Sequence, residues 1–449
     1  MIDTLTAVNS WVNSIVWGPP FMVLLAGTGL YLTARLGFFQ FTHLRFAWRR
    51  TFGRMFRREA DNDGAITSFQ AVASAMAGTI GVGNIAGVAT AIALGGPGAV
   101  FWMWMIALVG MATKLAEATL GLKFRHVDAD GRVSGGVFYY IEKGLGSKWR
   151  WLALLYAFFA GFAAFGIGNM VQSNTVAQSM IDGFGIPTWV TGLVLVVLVG
   201  AVTLGGIKRI AATAELIVPF MAVAYVGASL VVLALYAEAI PGAFMSIFNH
   251  AFSPAQAAGG FAGATVAEAI RYGIARGIFS NEAGLGSSSI VHAQARNTPF
   301  GQGLWGVWEV FIDTLVICTM TALVILVTGV MESGANGAAL TSSAFASAMP
   351  GIGSYVVIIA IGFFAYSTML TWNFYGEKSW EYLFGAKVIL PYRLIFLGFL
   401  YVGAVGGLEL IWNVADTLNG LMAAPNLVAL ILLAGVLVAE QRDYFAKNP

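Results

Sequence analysis

Two glycine-rich clusters interrupt apolar stretches of this sequence, and their residue types suit the binding of a small charged molecule. The first cluster contains Thr79, Gly81, Gly83 and Asn84, and the second runs from residue 277 to residue 286. Glycine costs a helix interior about 1 kcal/mol relative to alanine, so each cluster predicts a break in a helix. A broken helix exposes carbonyl groups at one new end and N–H groups at the other. Together these groups match the two charges of an amino-acid zwitterion.

The backbone around each break predicts where such a zwitterion would lie. We expect its carboxylate at the N–H groups near Gly83 and Asn84, and its ammonium at the carbonyls of residues 77–79 and 276–277. Ser280 and Asn281 are good N-cap residues, so they are predicted to begin the second half of the later broken helix and to bind the zwitterion there, together with Thr79, Gly81, Gly83 and Asn84 of the first cluster. The alternative is helix packing, because small residues also line close helix contacts in membranes.

The surrounding composition indicates a polytopic membrane protein. Of the 449 residues, 58% are hydrophobic and only 10% are charged, whereas soluble domains carry about 25% charged residues. A bilayer core needs about 20 apolar residues per helix. The apolar segments predict eleven crossings, near residues 12–36, 66–94, 98–122, 150–181, 188–206, 210–237, 261–292, 304–332, 351–382, 388–406 and 409–439.

The basic residues are concentrated in alternate connections between these segments. The connection after the first segment contains Arg45, Arg49, Arg50, Arg54, Arg57 and Arg58. Cytoplasmic loops carry such an excess, so we expect a multi-pass protein of the cell inner membrane, surrounded by lipid, with its N-terminus outside and its C-terminus cytoplasmic. The net charge of +2 reflects these loops and does not indicate nucleic-acid binding. The single cysteine, Cys318, excludes a disulfide framework.

Eleven segments divide into one peripheral helix and two sets of five. The second and seventh segments begin these sets, and they share the pattern Asn84-Ile-Ala-Gly87 and Asn281-Glu-Ala-Gly284. Because five is odd, the sets cross the membrane in opposite senses, as in secondary transporters with paired broken helices. We therefore predict an all-α fold with one transport domain over residues 1–449. It would contain a peripheral helix at 12–36 and inverted repeats at 66–237 and 261–439.

Three large side chains and one amide are candidates for the wall of the binding pocket. Met369 and Trp372 share one face of the ninth segment, and Phe279 lies within the second glycine cluster. Their bulk favours a ligand with a methyl group or hydrogen as its side chain, because discrimination between small apolar groups needs a tight wall. Gln172, in the fourth segment, is the side-chain amide that we expect to reach the ligand.

Charged residues within the apolar segments are functional by default. Glu309 and Asp313 lie in the eighth segment, Asp416 in the eleventh, and Arg276 beside the second glycine cluster. Mutual neutralisation is the simpler interpretation, with Arg276 pairing with one of the acids. Asp313 could instead contribute to a second cation site.

Longer motifs resemble the alanine/glycine:cation symporter family of prokaryotes. These are Gly95-Gly-Pro-Gly-Ala-Val-Phe-Trp-Met-Trp104 and Arg276-Gly-Ile-Phe-Ser-Asn-Glu-Ala-Gly284. The resemblance implies the fold of the leucine-transporter class of sodium symporters, with one additional N-terminal helix. It also implies sodium-coupled uptake of alanine or glycine into the cell by alternating access, and we expect a monomer.

The same resemblance implies a sodium site. In that class one sodium ion lies between carbonyls of the first core helix, here Ala77 and Ile80, and hydroxyls of the eighth core helix, here Ser367 and Thr368. Hydroxyl and carbonyl oxygens suit a desolvated alkali cation. Sodium is then the co-transported ion, and no other cofactor is expected.

Three other functions are left as alternatives. A proton-coupled transporter of small amino acids would have the same glycine breaks. An ion channel would need a continuous polar pore, whereas the polar residues here cluster at two breaks. A membrane enzyme would need a nucleophile or metal constellation, and the sequence contains neither this nor a P-loop lysine motif.

Overall fold

The computed structural model describes residues 2–55, 64–129, 131–257, 259–406 and 409–448, and these residues are mainly helical. Within them, the strands are a two-residue antiparallel pair, β1 (His126–Val127) and β2 (Val133–Ser134). Two arginines of the predicted cytoplasmic loop, Arg57 and Arg58, lie outside the described residues.

The first half of the chain forms the N-terminal helices and the first set of core helices. Their bounds are α1 (Ile2–Val16), α2 (Pro19–Arg35), α3 (Phe39–Thr42), α4 (Leu44–Arg50), α5 (Ser68–Thr79), α6 (Ala86–Gly95), α7 (Gly98–Lys123), α8 (Val137–Tyr139), α9 (Arg150–Phe165), α10 (Val171–Phe184), α11 (Thr188–Thr203) and α12 (Ile207–Leu235). A π-helical turn, Gly166–Met170, joins α9 to α10, so the two form one long segment.

The second half of the chain follows the short helix α13 (Ile240–His250) and forms the second set of core helices. Its helices are α14 (Val266–Asn281), α15 (Ser289–His292), α16 (Pro299–Val310), α17 (Thr319–Val327), α18 (Gly337–Ala348), α19 (Gly353–Phe384), α20 (Ile389–Val405), α21 (Glu409–Leu432) and α22 (Ala434–Lys447). A π-helical turn, Phe311–Cys318, joins α16 to α17.

The apolar helices agree with the predicted crossings. Among the described residues, eight helices are long and apolar enough to span a membrane, and the bent pair α5 and α6 makes a ninth. The shorter apolar helix α11 and the interrupted pair α14 and α15 correspond to the two further predicted segments. The helices of the two sets pack against their counterparts: α7 against α16, α9 against α19, and α11 against α20.

The first break, residues 80–85, separates α5 from α6 at the predicted position. Helix α5 ends at Thr79, Gly81 is extended, and a 3₁₀ turn, Val82–Asn84, leads into α6. The two halves are bent by 59°. A buried bend of this kind is tolerated at membrane depth only where protein or a wet cavity satisfies the freed backbone groups.

The second break, residues 282–288, lies one turn later than predicted. Helix α14 continues through Asn281, and the chain then turns at Glu282, which has a φ of 56°. Gly284 and Gly286 follow with φ values of 96° and 76°. Glycine adopts this left-handed region freely, so these two residues define the break. Ser280 and Asn281 therefore close the first half-helix, and their predicted role as N-caps of the second half was wrong.

Candidate functional site

Two hydroxyl groups of α19 lie against the carbonyl end of α5. Ser367 Oγ and Thr368 Oγ1 donate to the Ala77 carbonyl at 3.3 and 3.1 Å. Ala77 is in the last turn of α5, where carbonyls lack a partner within the helix. Ser367, Thr368 and Ala77 are all buried, and Ile80 is the residue that ends the helix. This group of oxygens is the donor chemistry that a sodium ion requires.

Two side-chain amides accept hydrogen bonds from the backbone N–H groups of the first break. The Gly81 N–H donates to Asn84 Oδ1 at 2.9 Å, and the Val82 N–H donates to Gln172 Oε1 at 3.3 Å. A β-carbon built on Gly81 would lie 2.6 Å from Thr368 Oγ1 and 3.4 Å from Gln172 Oε1. The predicted amide and the predicted sodium ligands therefore meet at the same glycine.

A cavity of about 310 Å³ lies beside the 3₁₀ turn, and Gly83, Phe279 and Arg276 contribute to its lining. A β-carbon on Gly83 would lie 3.0 Å from Phe279 Cδ1. The Arg276 guanidinium stands 5.3 Å from the centre of the Phe279 ring and 3.8 Å from Asp416 Oδ2. Arg276 thus pairs with one of the intramembrane acids, as predicted, and places a cation at the cavity wall.

Asp313 joins the two broken helices from the π-helical turn of the eighth segment. Its Oδ1 accepts from Asn84 Nδ2 at 2.7 Å, and its Oδ2 accepts from Ser280 Oγ at 2.9 Å. Next to it, Asn281 Nδ2 donates to Thr314 Oγ1 at 3.0 Å. Three predicted ligand residues, Asn84, Ser280 and Asn281, therefore bond to the eighth segment. From the sequence, Asp313 was predicted only as an alternative cation ligand. Its hydrogen bonds to both broken helices were not predicted.

The N–H groups of the second break already have an acceptor. Glu117 Oε1, from α7, accepts from the Gly284 N–H at 2.9 Å and the Gly286 N–H at 3.0 Å. Asn426 Nδ2 donates to the same oxygen at 2.7 Å. The two breaks are thus not equivalent, because a carboxylate of the protein occupies the second one. Sequence reasoning missed Glu117, although an acid within an apolar segment was the available signal.

Three further predicted residues are buried near the breaks. Trp372 packs over Gly168, and its Nε1 donates to Glu282 Oε1 at 2.8 Å. Met369 is fully enclosed in the hydrophobic core. The Thr79 hydroxyl bonds back to the Ala75 carbonyl at 3.4 Å within its own helix.

The fold and the paired breaks define a multi-pass secondary transporter with the leucine-transporter fold. The crystal structure of MhsT in complex with L-phenylalanine is similar, with a TM-score of 0.59, 13% identity and coverage of 84% of this chain and 98% of that one. Residues 2–449 match the model of the sodium:alanine symporter family, and the chain belongs to this family.

Two relatives cover almost the whole chain. Sodium/alanine symporter AgcS of Methanococcus maripaludis is 48% identical, over 99% of this chain and 98% of its own length. A putative sodium/proton-dependent alanine carrier protein, YrbD, of Bacillus subtilis is 38% identical, over 96% and 91%. The predicted family, the predicted fold class and the prediction of sodium-coupled symport of a small amino acid are confirmed.

Proposed function

We propose that this protein carries alanine or glycine into the cell together with sodium, and that both ligands bind at the first break. The observation that carries the proposal is that Ser367, Thr368 and Gln172 all bond to the backbone of residues 77–82. Carbonyl, hydroxyl and N–H groups converge there within buried protein, next to a cavity.

In this proposal the substrate carboxylate faces the 3₁₀ turn at Gly83 and Asn84, and the ammonium faces carbonyls that end α5. Two observations support this placement: Glu117 already accepts from the Gly284 and Gly286 N–H groups of the second break, whereas the first break adjoins the cavity at Gly83. Phe279 limits the space above Gly83, so a methyl or hydrogen side chain fits best. Gln172 would hold the turn in its binding shape through the Val82 N–H.

The proposed sodium ligands are the carbonyls of Ala77 and Ile80 and the hydroxyls of Ser367 and Thr368. Each hydroxyl donates to a carbonyl in this structure. A hydroxyl can rotate about its C–O bond and present its lone pairs to a cation instead. The donor set is all oxygen, which fits a hard monovalent ion.

We further propose that the N-terminus faces outward, that the C-terminus is cytoplasmic and that the protein lies in the cell inner membrane. The Arg-rich helix α4 and the alternate basic connections support this orientation. Residues 66–237 and 261–439 would be the inverted repeats, with 12–36 outside them, and the unit that transports would be a monomer.

Uptake of labelled alanine into proteoliposomes tests the proposal. An imposed sodium gradient should drive accumulation that saturates with alanine, and a proton gradient without sodium should not. Accumulation driven by the proton gradient alone would favour the proton-coupled alternative. Flux that does not saturate with alanine would indicate a channel and contradict the proposal.

A further inference from the structure

Two carboxylates accept hydrogen bonds from residues of the second break. Glu117 accepts the N–H groups of Gly284 and Gly286, as described above, and Glu282 accepts the hydroxyl of Ser287. Glu282 and Ser287 belong to the break itself, whereas Glu117 belongs to α7. Both carboxylates are buried, and their hydrogen bonds place both of them against the same short stretch of chain, residues 282–288.

The charges around these carboxylates do not balance. Lys114 Nζ contacts Glu309 Oε1 at 2.8 Å, and His292 Nε2 contacts Glu309 Oε2 at 3.0 Å. Gln302 Nε2 lies 2.8 Å from His292 Nδ1. Among the described residues, three carboxylates, Glu117, Glu282 and Glu309, thus outnumber the two basic side chains Lys114 and His292, both of which contact Glu309.

The other described side chains that bond to or adjoin Glu117 and Glu282 are neutral. They are Trp372 Nε1 and Asn426 Nδ2, with the hydroxyls of Tyr140, Tyr156 and Tyr375 on the surrounding elements. Tyr140 donates to Asn426, and Tyr156 donates to the Leu285 carbonyl at 3.0 Å. An excess of negative charge at this depth is costly unless a positive charge joins it.

Two buried polar atoms, Glu117 Oε2 in this cluster and the Tyr375 hydroxyl near it, have no hydrogen-bond partner among the described residues. The exposed fraction of Tyr375 is 1%. Its ring lies edge-on to Trp372 with the centroids 5.5 Å apart, and Trp372 in turn bonds Glu282. Its hydroxyl also lies 3.2 Å from the position of a β-carbon on Gly78, near the end of α5. A positive ligand bound here would therefore lie between the two broken helices.

We propose that Glu117 and Glu282 form a second site for a monovalent positive charge, either a proton or a second sodium ion. The bound charge stabilises the closed arrangement of residues 282–288 against α7. When the charge leaves, the two carboxylates repel each other and the second half of the broken helix is free to move. This inference rests on the proposed function for its role in coupling, but the binding of the charge can be tested without alanine.

The first experiment uses the purified protein in detergent without alanine. Sodium is titrated at constant pH and ionic strength, and pH is titrated without sodium, while tryptophan fluorescence is recorded. The fluorescence of wild type minus that of Trp372→Phe, taken at each point of the titration, gives the signal of the indole that donates to Glu282. We expect a saturable change with sodium or with protons in wild type, and none in Glu282→Gln. A flat difference signal in both titrations would overturn the proposal.

The second experiment measures alanine affinity in wild type, Glu117→Gln and Glu282→Gln. Each glutamine keeps a carbonyl oxygen as acceptor while removing the charge. Glu238→Gln is the matched control, because Glu238 is exposed in the short turn that follows α12. If the ligand is a proton, the alanine affinity of wild type changes by up to about tenfold per pH unit. Glu117→Gln and Glu282→Gln then both lose this pH dependence. If the ligand is sodium, the dependence of alanine affinity on sodium concentration falls from about second order in wild type to about first order in the variants.

Unchanged pH and sodium dependences in both variants would contradict the second site. If wild type itself bound no alanine, the proposed function would fail, and the fluorescence titrations would still decide the charge site. Should Glu117→Gln not fold, Glu282→Gln alone is sufficient for both readouts.

Discussion

Replacement of Gly81 by alanine should loosen sodium binding at the first break. The backbone of Gly81, with φ −131° and ψ −157°, is extended and open to alanine, so the effect would come from contact alone. The new β-carbon would lie 2.6 Å from Thr368 Oγ1, about 0.8 Å short of the 3.4 Å at which ordinary contact begins. Overpacking of this kind costs about 1–3 kcal/mol. If that cost falls on the sodium-bound state, apparent sodium affinity weakens ~5- to ~150-fold.

The assay is sodium-dependent binding of labelled alanine to purified protein, with the Tm measured on the same samples. Gly398→Ala in α20 is the control, because a β-carbon there meets no heavy atom within 4 Å. Gly83→Ala should have an intermediate effect, since its nearest contact is the Phe279 ring at 3.0 Å, and it should weaken alanine binding. Wild-type sodium affinity in a folded Gly81→Ala protein would refute the reasoning.

Three further predictions concern the same region. The double change of Ser367 and Thr368 to alanine should abolish sodium-stimulated alanine binding and lower stability by only about 1 kcal/mol per hydroxyl; full sodium dependence in the folded variant would contradict the assignment. Phe279→Ala should admit valine or leucine in competition assays, and an unchanged size limit would mean that the ring is ordinary packing. Asp416→Asn removes the acid that pairs with Arg276 and should change the uptake rate with little change in Tm, because partly exposed ion pairs contribute about 1 kcal/mol or less. A large loss of Tm would instead assign the pair a structural role.

Both broken helices begin with a local sequence pattern that the prediction did not include. Thr67 and Gln70 form a capping box before α5, and Thr265 and Glu268 form one before α14. A Thr followed three residues later by Gln or Glu is a recognisable N-terminal pattern. It would have moved the predicted start of the second broken segment from residue 261 to 266 and strengthened the case for two equivalent repeats.

The sequence by itself determined the features that depend on local composition. Apolar length identified the membrane segments, and the glycines around Gly81 located the first break, because helix propensity acts over a few residues. The hydroxyl pair Ser367 and Thr368 came from the family resemblance, and the structure brings it to the Ala77 carbonyl.

Only the tertiary structure decided how the two breaks differ. Asn281 and Gly284 suggested that the second break would copy the first, but left-handed glycines move it to residues 282–288. Glu117 accepts from the N–H groups of this break across 167 residues of sequence. Asp313 joins the two broken helices by accepting from Asn84 across 229 residues and from Ser280 across 33. Such pairings depend on which helices meet in the bundle. The free energy of a buried charge is set by those distant neighbours, and no short window of sequence contains them.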